Sequence, residues 1–391
     1  MIRSLEFDGY RGFPCRRQYD RNQPFQRLDL APLTLLIGRN NAGKTSVATL
    51  LHQVLGGLAG IGKGALPLTV GGNPVADYFQ DLLHARDISS FLELAVSITV
   101  ASGLHRLETI LYLRGPLDDD PRPWARRVSW DQKEYPIPDG PLASIPIPDV
   151  LEQTEVRDEA AQVLRASMWL GPLRARVPEI PSRHGRNPQA PLIGSAGEGV
   201  TERLAEDGAV FGEVSAWLAE HTGLSLRWEK NLDLWRLQTM RGAVRSIPIT
   251  QVGTGVHQVL PVLTLAKWRY CNPSPTGFVD VIQQPELHLH DALHPMLGDL
   301  FLDVAQASVG TTVVETHAEG LLLRVRRRIA EGIVPPERVA LYYIDDAPSG
   351  GEIRRIRILE TGEVDYWPPG VFLESYEEVK ALRSAQRRKG H

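Results

Sequence analysis

Residues 38–45 read Gly-Arg-Asn-Asn-Ala-Gly-Lys-Thr, and this stretch decides the fold class of the chain. Its spacing is Gly-x-x-x-x-Gly-Lys-Ser/Thr, the pattern of a loop that surrounds phosphate groups. A short apolar run, Leu33–Ile37, precedes the loop, and the apolar residues of 47–54 recur at helical spacing after it. Because buried strand, glycine-rich turn and amphipathic helix follow in this order, the sequence predicts a phosphate-binding loop in an α/β fold.

Each fixed residue of the loop has a chemical reason. Gly38 and Gly43 allow the backbone to turn so that successive N–H groups converge on phosphate oxygens, and the helix N-terminus adds its positive dipole. Lys44 is expected to reach the β- and γ-phosphates, and the Thr45 hydroxyl is expected to ligate Mg²⁺. The alternative is a glycine turn before a helix that carries Lys-Thr by chance. Spacing and context together favour the binding of ATP with Mg²⁺.

The composition is that of a globular protein without a disulfide framework. The 391 residues are 42% hydrophobic and 23% charged, with a formal net charge of −4, which argues against fibrous or disordered classes and against a general nucleic-acid coat. The two cysteines, Cys15 and Cys271, are too few for a disulfide framework, which indicates a reducing compartment. They form no CxxC pair, which argues against thiol redox chemistry and a cysteine zinc site. With an N-terminal stretch that is charged and no apolar run of about 18 residues, we expect no signal peptide, no membrane span and a cytoplasmic location.

Four further segments surround the loop in a fixed order. Residues 10–13 read Tyr-Arg-Gly-Phe, 252–261 read Val-Gly-Thr-Gly-Val-His-Gln-Val-Leu-Pro, 279–290 read Val-Asp-Val-Ile-Gln-Gln-Pro-Glu-Leu-His-Leu-His, and 315–319 read Glu-Thr-His-Ala-Glu. Together with the loop they resemble the motifs of AAA-like, ABC-type P-loop ATPases, in the group of structural-maintenance-of-chromosomes (SMC), RecF and overcoming-lysogenization-defect proteins. Residues 366–372, Tyr-Trp-Pro-Pro-Gly-Val-Phe, resemble the end of one subfamily of that group, which is often linked to anti-phage defence.

The resemblance implies a role for each segment. Residues 252–257 resemble the signature segment, which in ABC-type dimers caps the γ-phosphate held by the opposite subunit. The strand that ends at residue 283 resembles the Walker B strand beside Mg²⁺, and His317 resembles the switch histidine that senses the γ-phosphate. The implied catalytic residues are Gln283, Gln284 and His317, and the implied Mg²⁺ ligands are Thr45 and, through water, Gln283. The residues implied to bind ATP are Arg11, Gly38, Arg39, Asn40, Asn41, Ala42, Gly43, Lys44, Thr45, Ser46, Gly253, Gly255 and His257.

Three residues depart from the family pattern. Gln283 stands at the Walker B acid, Gln284 stands where many relatives carry the catalytic glutamate, and His257 stands where serine is common. An amide cannot act as a general base for water, and it brings no negative charge to Mg²⁺. Either an acid at 283 has been replaced to trap bound ATP, which we favour, or the natural protein hydrolyses ATP slowly or not at all.

The patterning of the remaining sequence indicates βα units on a parallel sheet, and the resemblance implies an α/β fold of the ABC-ATPase type. Residues 91–113 predict a β-hairpin, residues 150–165 and 199–221 look helical, and strands alternate with helices from 278 to 344. We expect a mixed central sheet flanked by helices, an antiparallel β lobe and an inserted helical or irregular lobe. The predicted division is 1–114 for the N-terminal part of the ATPase domain with the loop and the β lobe, 115–250 for the inserted lobe and the signature-side subdomain, and 251–391 for the C-terminal part.

The leading hypothesis is an ATPase that dimerises, or forms a higher oligomer, around Mg-ATP and serves as sensor or motor in a nucleic-acid-linked, anti-phage complex. Because too few residues follow His317 for a Toprim nuclease domain, we expect a separate effector, a nuclease or a toxin. The alternative is a hydrolysis-deficient scaffold that assembles such an effector. A metal hydrolase built on the histidines of 288–294 is a third possibility. Two basic stretches, on 324–328 and in a C-terminal tail at 383–389, are either nucleic-acid contacts or solvated faces.

Overall fold

The computed structural model of the chain describes residues 2–18, 20–62, 64–114, 122–150, 152–181, 192–231, 234–242, 245–347, 350–369 and 371. The α-helices are α1 Lys44–Leu58, α2 Gln153–Ala166, α3 Val200–Glu206, α4 Gly208–Thr222, α5 Thr254–Cys271, α6 His294–Ala307 and α7 Glu319–Ala330. The β-strands are β1 Ile2–Asp8, β2 Gln26–Asp29, β3 Leu33–Gly38, β4 Thr69–Val70, β5 Asn73–Pro74, β6 Phe91–Val100, β7 Gly103–Tyr112, β8 Trp124–Trp130, β9 Lys133–Glu134, β10 Trp169–Leu170, β11 Leu224–Asn231, β12 Leu234–Arg241, β13 Arg245–Pro248, β14 Val279–Gln283, β15 Thr311–Glu315, β16 Val339–Ala347 and β17 Gly350–Ile356.

The central sheet is mixed, as the sequence predicts, and has the strand order β10-β14-β15-β3-β16-β17. The first five of these strands are parallel, and β17 pairs antiparallel with β16. Parallel neighbours need long crossover connections, and α6 and α7 supply them between β14, β15 and β16. The carboxyl ends of β14, β15 and β3 therefore lie side by side, at the edge where open α/β sheets bind ligands.

A second sheet, with the order β2-β1-β6-β7-β8-β9, is antiparallel throughout. The hairpin predicted over 91–113 is confirmed as β6 and β7. Strands β8 and β9, at 124–134, extend this sheet past residue 114, whereas β11-β12-β13 form a separate three-stranded sheet. The domain division at 114 and 250 stays a prediction.

Alternating side chains of β3 enter two different hydrophobic cores. Leu36 packs in a core with α1 and the antiparallel sheet, while Leu33, Leu35 and Ile37 pack in a core with α5, α6 and α7. Both faces of the central sheet are thus covered, which is why its strands are apolar along their length. The polar side chains Gln283 and Glu315 lie at the carboxyl ends of β14 and β15.

Asp207 divides the helical segment predicted over 199–221. It has an extended backbone (φ −121°), and its carboxylate accepts from the N–H groups of Ala209 and Val210 as the N-cap of α4. The helical structure predicted over 199–221 is confirmed, and the capping bond of Asp207 separates α3 from α4 within it.

An ion pair inside the core fixes β14 against α5. Arg269 donates through Nε and Nη2 to the two carboxylate oxygens of Asp280, at 2.8 and 2.7 Å. The two side chains are only 2% and 1% exposed. Asp280 also accepts from the N–H of Met168 at 2.8 Å, and the guanidinium lies 3.7 Å from the centroid of the Phe278 ring. A fully desolvated pair thus positions the strand that ends at the site.

Replacing Arg269 with methionine leaves the Asp280 carboxylate buried without its cation. Breaking a buried pair from one side costs about 3–5 kcal/mol, so Arg269→Met should lower the free energy of unfolding by about that amount. Urea unfolding followed by circular dichroism measures the loss. As a control, Arg327→Met removes an exposed pair with Glu331 on α7 and should cost at most about 0.5 kcal/mol. Equal losses in both variants would contradict the stabilising role of the buried pair.

Candidate functional site

The loop of residues 39–43 joins β3 to α1 between two glycines with left-handed backbone. Gly38 has a φ of +146° and Gly43 a φ of +102°. A Cβ at Gly38 would lie 2.1 Å from the carbonyl oxygen of Ile344 in β16, and a Cβ at Gly43 would lie 3.0 Å from the ring of Phe13. Glycine is required at both positions. Phe13, from the Tyr-Arg-Gly-Phe segment, packs against the loop.

Helix α1 presents its N-terminus at the end of this loop. No side chain caps this fully described helix, and its first turn carries no acidic residue. The N–H groups of a first helical turn lack partners within the helix and carry the positive end of the dipole, so they favour an anion. Of the loop residues predicted from the sequence, the exposed ones are Arg39, Asn40, Asn41 and Thr45, and the partly or fully buried ones are Gly38, Ala42, Gly43, Lys44 and Ser46.

Lys44 folds back over the loop. Its Nζ donates to the carbonyl oxygens of Gly38 and Arg39, at 2.9 and 2.7 Å. Burial lowers the pKa of Lys44, while the negative charges of Glu315 and Glu286 oppose that shift. The ammonium group is therefore bonded to the loop, and the charges of Glu315 and Glu286 favour its protonated form.

Three polar side chains meet where β3, β14 and β15 end. Thr45 Oγ1 donates to the carboxylate of Glu315, lying 2.9 Å from Oε2 and 3.2 Å from Oε1. Gln283 Nε2 donates to Glu315 Oε2 at 3.0 Å and to Thr45 Oγ1 at 3.3 Å. Glu315, the first residue of the Glu-Thr-His segment, has no role predicted from the sequence. The carboxylate beside the loop hydroxyl comes from residue 315, with the amide of Gln283 next to it.

Beyond β14 the chain turns sharply and contacts the end of β15. Gln284 has a left-handed φ of +42°, and its N–H donates to the carbonyl oxygen of Glu315 at 2.7 Å. Glu286 then accepts from the N–H of His317 at 2.6 Å and from Thr316 Oγ1 at 2.9 Å. Burial raises the pKa of Glu286, and these hydrogen bonds only partly offset the effect. Glu286 is a second carboxylate of the site that sequence reasoning did not single out.

His317 lies close to the loop lysine. Burial lowers its pKa, and the positive charge of Lys44 acts in the same direction. The imidazole is therefore neutral near pH 7. Its Nε2 is buried and has no hydrogen-bond partner among the residues that the structure describes. A neutral ring with an unused nitrogen beside the phosphate-binding loop suits contact with a bound group.

The segment 252–257 forms the entrance to α5. Gly253 is the N-cap and is exposed, and a Cβ there would meet no described atom within 4 Å. A Cβ at Gly255 would lie 2.7 Å from the carbonyl oxygen of His288, so this turn packs against the segment after β14. His257 is buried and its Nδ1 accepts from the N–H of Val177 at 3.1 Å. The structure thus exposes the glycine turn and turns His257 inwards.

Arg174 connects the entrance of α5 to the end of β14. Its Nη2 donates to the carbonyl oxygen of Gln283 at 2.5 Å, and its Nη1 donates to that of Gln258 at 3.3 Å. The Gln258 side chain returns two bonds, because its Oε1 accepts from Arg174 N–H at 3.1 Å and its Nε2 donates to the Arg174 carbonyl at 2.6 Å. Burial lowers the pKa of Arg174 to about 10. Arg174 ends the Gly-Pro-Leu-Arg segment at 171–174, and the sequence alone did not predict that this residue connects α5 to β14.

The side chain of Arg11 contacts Val75 and Tyr10. Its guanidinium donates to the carbonyl oxygen of Val75 and lies 5.5 Å from the centroid of the Tyr10 ring. Its backbone N–H donates to the carbonyl oxygen of Leu82 at 2.9 Å. A role of Arg11 in binding nucleotide stays a prediction. In this structure its side chain and its N–H contact Tyr10, Val75 and Leu82.

The basic run on α7 is largely compensated within the chain. Arg324 and Arg328 both pair with Asp299, and Arg327 pairs with Glu331. This arrangement favours the solvated-face interpretation over a nucleic-acid contact. The C-terminal basic tail lies outside the described residues.

The histidines after β14 do not assemble a metal centre. His288 and His290 are exposed, and His290 Nδ1 accepts from the N–H of Ala292 at 3.2 Å. Across the described ranges, no group of three or more histidine, cysteine or acidic side chains is arranged to hold a metal ion. In the same ranges no helix is both long and apolar enough to span a bilayer.

The fold is similar to that of SMC head domains. One match, an SmcHead bound to the C-winged helix domain of ScpA, has a TM-score of 0.55 at 12% identity and covers 91% of this chain and 98% of its own. Another, an Smc head domain with an extended coiled coil bound to the C-terminal domain of ScpA derived from Pyrococcus furiosus, has a TM-score of 0.53 at 10% identity and covers 98% and 99%. No family model and no curated protein matches the sequence.

These likenesses show the fold alone: the chain has the α/β fold of SMC head domains. The expected resemblance to the SMC group is confirmed at that level. The narrower resemblance to RecF and overcoming-lysogenization-defect proteins, and the link to anti-phage defence, stay predictions.

Gly38→Ala should destabilise the protein strongly, because the new Cβ would meet the Ile344 carbonyl and the left-handed backbone is strained for alanine. We expect the free energy of unfolding to fall by more than about 2 kcal/mol. Gly212→Ala, at an open position in α4, should be neutral or slightly stabilising. Thermal unfolding of the two variants checks this, and a Gly38→Ala melting temperature as high as that of Gly212→Ala would refute the close approach of β3 and β16.

Proposed function

We propose that the chain binds Mg-ATP at the loop of residues 38–45. The observation that supports this most directly is the convergence of four features at one sheet edge: two conformationally required glycines, an uncapped helix N-terminus, the Lys44 ammonium, and the Thr45 hydroxyl beside Glu315. Each suits one part of a metal–triphosphate ligand. The two glycines, Lys44 and Thr45 are the fixed positions of the Gly-x-x-x-x-Gly-Lys-Thr spacing at 38–45.

The residues of this site fit both the phosphates of ATP and the Mg²⁺ ion. Backbone N–H groups at the start of α1 and the Lys44 ammonium would hold the phosphates, since they are donors and positive charges without an acidic competitor in the first turn. The oxygens of Thr45 and Glu315 are the hard ligands that Mg²⁺ prefers. The cation, when bound, neutralises phosphate charge. His317, neutral and with a free Nε2, would contact the terminal phosphate.

We further propose that two copies close head to tail on the nucleotide. The exposed turn at Gly253 is placed at a helix N-terminus, which favours the phosphate of an opposite subunit. The described SMC heads are each bound to ScpA, a separate protein. By likeness of fold, this chain would act on a separate partner as well, and we assign it the role of an ATP-dependent switch in a nucleic-acid-linked, anti-phage complex with a nuclease or toxin effector.

Lys44→Ala should weaken ATP binding by at least about tenfold, because it removes a charged donor worth about 1.5–3 kcal/mol to a phosphate. Isothermal titration with ATP and Mg²⁺ measures the affinity. Lys267→Ala, which removes a half-buried lysine paired with Glu213 on α4, is the control and should bind as the unmodified chain does. Absence of saturable binding by the unmodified chain would refute the proposed function.

Gly253→Asp should separate dimerisation from nucleotide binding. The new carboxylate fits sterically but would repel the phosphate of the opposite subunit, so ATP affinity should persist while ATP-dependent dimers are lost. Gly208→Asp, at the exposed start of α4, adds the same charge and should dimerise normally. Sedimentation with and without Mg-ATP gives the mass. An unmodified chain that stays monomeric under both conditions would contradict head-to-tail closure.

A hydrolysis-deficient scaffold is the second candidate, favoured by the two amides at Gln283 and Gln284. Phosphate release by the chain and by a Gln283→Glu variant distinguishes the two functions, with Gln306→Glu on the surface of α6 as a charge control. Faster release in Gln283→Glu alone supports an ATPase whose acid has been replaced. No release from either, with partner proteins present, supports the scaffold.

A further inference from the structure

The amides at 283 and 284 raise the question of which residue supplies negative charge to the cation. In proteins Mg²⁺ is usually bound through one or two carboxylates together with the phosphates of its ligand. The carboxylate that contacts the Thr45 hydroxyl in this chain is that of Glu315, with both oxygens within 3.2 Å of Oγ1. The Glu315 carboxylate therefore lies beside the position where the cation is expected.

The fold fixes Glu315 at this place. It is the last residue of β15, which lies between β14 and β3, the strand that leads into the loop. In register, Glu315 is opposite Gln283 on one side and Leu36 on the other. The N–H of Gln284 donates to the Glu315 carbonyl at 2.7 Å, which pins the strand end. Its position follows from sheet pairing rather than from a mobile loop.

The surroundings of Glu315 suit a cation. The residue is 6% exposed, and the side-chain bonds to its carboxylate come from neutral groups, the Thr45 hydroxyl and the Gln283 amide. The charge of Lys44 also acts on Glu315, but the Lys44 ammonium donates to the loop carbonyls of Gly38 and Arg39. Among the described residues the donors to the Glu315 carboxylate are therefore neutral, and a buried carboxylate of this kind gains from a bound cation.

We propose that Glu315 is the carboxylate that holds the magnesium of bound Mg-ATP together with Thr45, and that Gln283 is a neutral donor that orients it. This inference rests on the proposed function. With Glu315 as a ligand, the chain can hold the cation although the residue at 283 is an amide, whose Nε2 donates to Glu315 Oε2 at 3.0 Å. The metal-side charge of this chain is thereby supplied from β15 instead of β14.

The test compares Glu315→Gln with Glu337→Gln, the same change at an exposed residue before β16. Binding of Mn²⁺ to the ATP complex is measured by electron paramagnetic resonance, and ATP affinity in EDTA is measured by titration. We expect Glu315→Gln to bind ATP in EDTA as the unmodified chain does but to lose about 10–100-fold in Mn²⁺ affinity. Glu337→Gln should change neither value.

Unchanged Mn²⁺ affinity in a folded Glu315→Gln variant overturns the inference while leaving nucleotide binding intact. Failure of the unmodified chain to bind ATP at all, with or without the metal, overturns the proposed function and the inference with it. If Glu315→Gln does not fold, Glu315→Asp keeps the charge but withdraws it by one methylene. We expect a smaller loss of Mn²⁺ affinity in that variant, and no loss would equally overturn the assignment.

Discussion

The burial of both faces of the central sheet is the constraint on which the site depends. Because helices cover one face and the antiparallel sheet with α1 covers the other, the strand interiors are mostly apolar, and Asp280 inside β14 is buried with its partner Arg269. Gln283 and Glu315 lie where β14 and β15 end. Parallel pairing then brings the ends of three strands to a common edge. Loop, hydroxyl, amide and carboxylate meet there because sheet order places them together, although they are far apart in sequence.

Much of this edge could be predicted from local patterns. The loop at 38–45 has fixed spacing and a diagnostic strand-to-helix context, and the alternation of strands and helices from 278 to 344 follows from periodicity that is local in sequence. Local patterns predicted the parallel βα units and the hairpin at 91–113, and they placed Lys44 and Thr45 at the start of a helix, whereas the mixed character of the central sheet was expected from the resemblance. Local patterns are properties of neighbouring residues, so a single sequence suffices to read them.

Other features depend on contacts between distant segments and could not be predicted. The proximity of Glu315 to Thr45 needs the register of β15 against β3, and the inward orientation of His257 needs the packing of α5 against the segment around Val177. The resemblance also directed attention to residue 283 as the acid position, where this chain has an amide. The boundary between α3 and α4 at Asp207 depends on a capping bond and its backbone angles, which apolar spacing does not reveal.

The bonds of Arg174 have a mechanical consequence. One guanidinium joins the backbone of α5, at Gln258, to the backbone of β14, at Gln283, and it does so in a place that water does not reach. Sliding the helix along the strand would strip several donors and acceptors at once, a penalty of several kcal/mol with no solvent to compensate it. The entrance of α5 and the end of β14 are therefore mechanically coupled, and we expect a displacement of one to be transmitted to the other.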